Sequence, residues 1–147
     1  MNQVAPILLP FFFVGIWLLA IGLLAAVGGW RSLAASYAAP EGFEPEPENR
    51  YRFRSIQLGS GFLLRSNYRG SMTVGLTPQG LYLVPFVLFR FLHKPLLIPW
   101  TAITDCDEGS FLWVQWIDMT VRDRPVIRVY GTVGDAAWGQ WRSTVRK

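Results

Sequence analysis

A chain of 147 residues with one cysteine and one histidine cannot build an internal disulfide, a histidine-based catalytic triad or a multi-histidine metal site by itself. Its net charge of +4 is modest, and all 14 Lys and Arg and all 10 Asp and Glu follow Trp30, leaving an uncharged N-terminal stretch. There is no dense basic cluster, phosphate-binding glycine loop, zinc spacing or nucleophile elbow, so neither nucleic-acid binding nor enzymatic activity is expected and no cofactor is implied.

The 24 residues from Val4 to Val27 carry no charged side chain. At about 1.5 Å of rise per residue, a helix of this length reaches past the roughly 30 Å hydrocarbon core of a bilayer. A signal peptide has a basic start and an apolar run of about 7 to 15 residues. Met1-Asn2-Gln3 has neither Lys nor Arg and the apolar run is longer, so residues 1–30 are expected to form a short tail and an uncleaved transmembrane helix. Pro6 and Pro10 fall in the first turns, where missing amide donors cost little, and Trp30-Arg31 reads as an interface mark at the far end. Arg31, Arg50, Arg52 and Arg54 follow the helix and no Lys or Arg precedes it, which orients the N-terminus outside the cell membrane and the rest in the cytoplasm. The lone Cys106 suits a reducing compartment. Gly15, Gly22 and Gly29 recur at seven-residue intervals with Ala26 near the same face. Such a stripe either lets two helices approach as a homodimer or reflects the abundance of small residues in membrane helices.

Residues 31–49 turn to small, acidic and proline residues, among them Pro40, Glu41, Glu44, Pro45, Glu46, Pro47 and Glu48. That composition predicts an extended, semi-rigid tether. Residues 50–147 then form the folded domain. From Arg50 to Leu58, Arg50, Arg52 and Arg54 alternate with Tyr51, Phe53 and Ser55, so a strand would turn three cations to one face and its aromatics inward. The cations form either a solvated face or a docking stripe for anionic lipid headgroups, each contributing on the order of 1 kcal/mol near such a surface. Phe62 to Tyr68 is a weaker strand, and Met72 to Pro85 a hairpin around Thr77-Pro78-Gln79-Gly80, which has type I turn chemistry. Lys94 to Thr104 supplies a further strand, Asp105 to Ser110 an acidic loop, and Phe111 to Val121 and Val126 to Tyr130 two more strands. Asp135 can cap a last helix that carries Ala137, Trp138, Trp141 and Val145 on one side.

The runs Val74-Gly75-Leu76-Thr77-Pro78-Gln79-Gly80-Leu81-Tyr82-Leu83 and Leu97-Ile98-Pro99-Trp100-Thr101-Ala102-Ile103 resemble the hairpin and the "I-P-W-x-x-I" segment of bacterial PH-like (GRAM-like) domains. The resemblance spans roughly Arg50 to Lys147. It implies a partly open barrel or sandwich of about six or seven strands with a C-terminal helix, so that the chain as a whole is expected to be a transmembrane helix followed by a mainly β domain. Lipid-binding members of that superfold use Lys and Arg on the first hairpin, where this chain offers Arg52, Arg54, Arg65 and Arg69. Phe86 to Lys94, with Phe86, Phe89, Arg90, Phe91, His93 and Lys94, is unusually apolar for a loop. It either dips into the bilayer interface, rings in lipid and cations at phosphates, or continues a strand into the core. The function expected is a membrane-anchored interaction module that binds lipid headgroups or a protein partner. The alternative is a structural or accessory subunit of a membrane complex held through its transmembrane helix.

Overall fold

The computed structural model describes residues 5–60, 64–86, 90, 93–122 and 126–145. Helix α1 runs Ala5–Gly28. Its portion Ala5–Leu23, with a mean hydropathy of 2.3, is long and apolar enough to cross a membrane. Phe11, Phe12 and Phe13 on it are all exposed, the arrangement that lipid rather than water solvates. Helix α1 packs against the first two strands, and Ile21 on it is buried.

Gly29 then breaks the helix in the left-handed conformation, φ 86°, and α2 begins at once, Trp30–Tyr37. Here the structure corrects the tether expectation. Trp30, Leu33, Ala34 and Tyr37 follow the i, i+3, i+4, i+7 pattern of an amphipathic helix, and Trp30 and Leu33 are fully buried in the core. Trp30 is therefore a core residue and not an interface mark. Proline and glutamate content dominates the composition of 31–49, but it begins only at Pro40, beyond the helical stripe.

The domain is a seven-stranded antiparallel sheet curled into a half-barrel: β1 Arg50–Ser60, β2 Leu64–Leu76, β3 Gly80–Pro85, β4 Leu96–Pro99, β5 Ile103–Phe111, β6 Val114–Val121 and β7 Val126–Tyr130. The order across the sheet is β4-β3-β2-β1-β7-β6-β5. Ile56, Leu58, Met72, Val74, Leu83, Ile98, Met119, Ile127 and Val129 fill its concave side, closed by α2 and by Val133 and Ala137 of α3, Thr132–Val145. The β2–β3 turn is locked by Thr77, whose hydroxyl and backbone both pair with Gly80, and by the buried Trp100, whose indole N–H donates to Thr77 O at 2.8 Å.

Three local expectations change. The acidic segment Asp105–Ser110 is not a loop but most of β5, whose edge position and exposed side chains let a polar sequence live in a strand. The single strand expected from Phe111 to Val121 is interrupted by the Leu112-Trp113 turn, so that Phe111 pairs with Val114. Helix α3 starts at Thr132, which puts Asp135 inside its first turn.

Alternate connections of an antiparallel sheet share an end. The β1–β2, β3–β4 and β6–β7 connections lie at one end, and the β2–β3 and β5–β6 connections at the other. Trp30 Nε1 donates to Lys94 O at 2.9 Å, Ala39 N–H donates to Pro95 O at 2.8 Å, and Ala38 bridges Leu96. These bonds fasten α2, and with it the exit of α1, to the β3–β4 end.

Candidate functional site

On the outer face of the sheet, Ser71 and Thr73 of β2 and Tyr82 and Val84 of β3 form the floor of a groove of about 410 Å³. One wall is the segment 42–45. It starts in a turn in which Phe43 N–H donates to Pro40 O at 3.0 Å and Gly42 takes φ 78°, the left-handed conformation that the third position of a type II turn requires. Phe43 then lies on Tyr82, ring centroids 5.6 Å apart, and Pro45 is buried against Gly75, where any Cβ would come within 2.7 Å of the Pro45 ring. This cover is why β3 is buried at all six positions, outer face included.

The other wall comes from the start of β1. Register shifts between Tyr51 and Arg54 and between Arg54 and Ile56, with Phe53 at φ 55°, break the simple alternation. Bulges of this kind re-aim side chains. Phe53 is consequently not inward but 70% exposed, and it lines the groove with Arg50 and Arg52. Arg54 leaves the stripe and stacks over Tyr51, 5.8 Å from the ring centroid. From the β3–β4 connection come Phe86, exposed, and Arg90, whose Nε donates to Pro85 O at 3.1 Å.

The groove thus gathers Arg50, Arg52 and Arg90 against a single carboxylate, Glu44. Arg50 Nε is buried and has no hydrogen-bond partner among the described residues. Leaving such a donor unmet costs about 1–3 kcal/mol, and an incoming acceptor relieves that cost. Burial raises the Tyr82 phenol above its ordinary pKa, opposed by the positive charges of Arg90 and Arg50 and reinforced by Glu44. The hydroxyl stays protonated, a neutral donor within the field of both arginines.

The structure separates the other sequence candidates. Lys94 is exposed but contributes its carbonyl to Trp30 and not its side chain to the groove. His93 is buried, its Nε2 2.8 Å from Tyr68 Oη in a hydrogen bond, with Trp30 edge-on at 5.1 Å. The end of the Phe86–Lys94 stretch is therefore anchored in the core. Phe89, Phe91 and the side chains of Ala26 and Arg65 lie outside the described part. Of the small residues, Gly15 faces open space, whereas Gly29 sits at the α1–α2 break and so falls off the stripe. Cys106 is half-buried on β5; burial and then Asp105 push its thiol up to about 12. Sequence reasoning missed Phe43, Pro45 and Tyr82, although the Pro40-Glu41-Gly42-Phe43 turn was readable as one.

A second surface stands out at the opposite end of the sheet. Phe111, Leu112 and Trp113, at the β5–β6 tip, are 68%, 73% and 86% exposed. Compared with known proteins, the chain matches no family model, no curated protein and no solved structure.

Proposed function

We propose that the protein is a single-pass interaction module of the cell membrane, N-terminus outside, whose PH-like domain contacts anionic lipid headgroups at the cytoplasmic surface of its own bilayer. The observation that carries this reading is the Trp30–Lys94 hydrogen bond, which ties the exit of α1 to the β3–β4 end of the sheet. Phe86, Arg90 and Lys94 are exposed on that same connection, an aromatic and cationic set suited to the lipid interface. Near an anionic leaflet each such cation adds on the order of 1 kcal/mol.

The test uses the full chain in nanodiscs, with a fluorophore at position 94 and lipid-borne quenchers. Quenching is expected to rise when anionic lipid replaces neutral lipid and to fall with salt over the Debye range. Quenching indifferent to lipid charge defeats the lipid reading.

A specific observation favours a second reading, in which the protein is an accessory subunit that binds a protein partner. The Phe111–Val114 tip lies at the sheet end opposite the β3–β4 connection, and an exposed apolar tip of that kind favours contact with a protein partner.

A further inference from the structure

We infer that the groove between β1 and the segment 42–45 is a binding site for a phosphate monoester. The inference deepens the surface-contact reading above and rests on it for the source of the ligand. Three guanidinium groups, Arg50, Arg52 and Arg90, face one carboxylate, Glu44, which leaves a formal charge of +2 in the groove. A monoester dianion balances that charge; a carboxylate or a phosphodiester, each carrying one negative charge, does not. Guanidinium forks match phosphate oxygens in geometry, and a phosphate oxygen supplies the acceptor that Arg50 Nε lacks.

The shape agrees with the charge. A volume of about 410 Å³ takes a phosphate together with a small group that bears it, and Phe43 and Phe86 offer apolar walls to that group. Two of the lining groups are held from behind, Phe43 by Tyr82 and Arg90 by its bond to Pro85 O. Groups ordered before a ligand arrives lower the ordering cost of binding.

The ligand has two sources with the same chemistry, a lipid headgroup or a soluble phosphate ester. The full chain in nanodiscs of zwitterionic lipid is titrated with glycerol 3-phosphate, and separately nanodiscs are prepared with increasing phosphatidic acid, with ³¹P line broadening as the readout in both. Saturable broadening is expected in at least one arm, and the arm that responds identifies the source. Arg50→Gln and Arg50→Lys are each expected to weaken it about tenfold, the lysine variant because it keeps the charge but lacks Nε. Arg54→Gln, outside the groove, is expected to change it by less than about twofold. Near-UV circular dichroism checks that each variant is folded, and Arg52→Gln serves if Arg50 variants are not. The inference is overturned by absence of saturable broadening in both arms, or by Arg54→Gln weakening it as much as Arg50→Gln. Either result leaves the salt-dependent surface contact to stand or fall on its own measurement.

Discussion

Cys106 and Tyr68 show how burial, as the largest cause, writes a pH dependence into single residues. The Cys106 thiol has an ordinary pKa of about 9.0 and is held protonated in the fold up to about 12, by burial first and Asp105 second. Above pH 9 the unfolded chain sheds this proton while the folded chain keeps it, so ionisation stabilises the unfolded state and stability declines from pH 9 towards 12. Tyr68, raised from its ordinary 10.0 by burial, adds a second decline that begins a unit later. Below pH 9 neither contributes a slope. Urea midpoints of the detergent-solubilised chain are expected to fall between about pH 9 and pH 10.5, and Cys106→Ala to flatten the first part of that fall. A midpoint that holds level across this range would contradict the burial of both groups.

At the scale of elements, α2 carries the sharpest consequence. Leu33 is fully buried, so Leu33→Ala removes packing that an extended tether would never have supplied. The expected loss is about 3 kcal/mol, read from chemical denaturation, against nearly nothing for an exposed leucine. The strands were largely legible beforehand, because hairpin chemistry at Thr77–Gly80 and β-branched runs such as Val126–Tyr130 are local signals. Helix α2 was less so: its Trp30, Leu33, Ala34, Tyr37 stripe is only eight residues long and is followed by a Pro- and Glu-rich stretch that dominates any window average. The acidic run in β5 misled for a different reason. Edge strands tolerate charge on both faces, and only pairing with β6 makes this one a strand. The groove was half readable. The arginines announced themselves, but the bulge at Phe53 that sends Arg52 into the groove and Arg54 out of it depends on register with β2, which is not local. Its second wall depends on Pro45 finding Gly75, a contact across thirty positions of the 147 in the chain.

For the whole molecule, α2, which follows α1 directly, is part of the domain's core, so α1 and the domain cannot be treated as beads on a string. Trp30 and Leu33 sit among Tyr68, Leu96 and the sheet interior, while Ala38 and Ala39 extend the hydrogen bonding along β4 and its lead-in. A fragment that starts at Gly29 keeps all of this; one that starts at Pro40 loses it and opens Tyr68 and His93 to water. Removing a buried tryptophan and a buried leucine costs about 3–5 and 2–5 kcal/mol respectively, together comparable with the 5–15 kcal/mol that holds an entire small domain folded. Residues 29–147 are therefore expected to unfold cooperatively in urea with a sharp near-UV signal. Residues 40–147 are expected to give a broad or absent transition and to bind ANS. Equal midpoints for the two fragments would restore the extended, semi-rigid tether and remove the fixed placement of the domain against α1 on which the proposed surface contact rests.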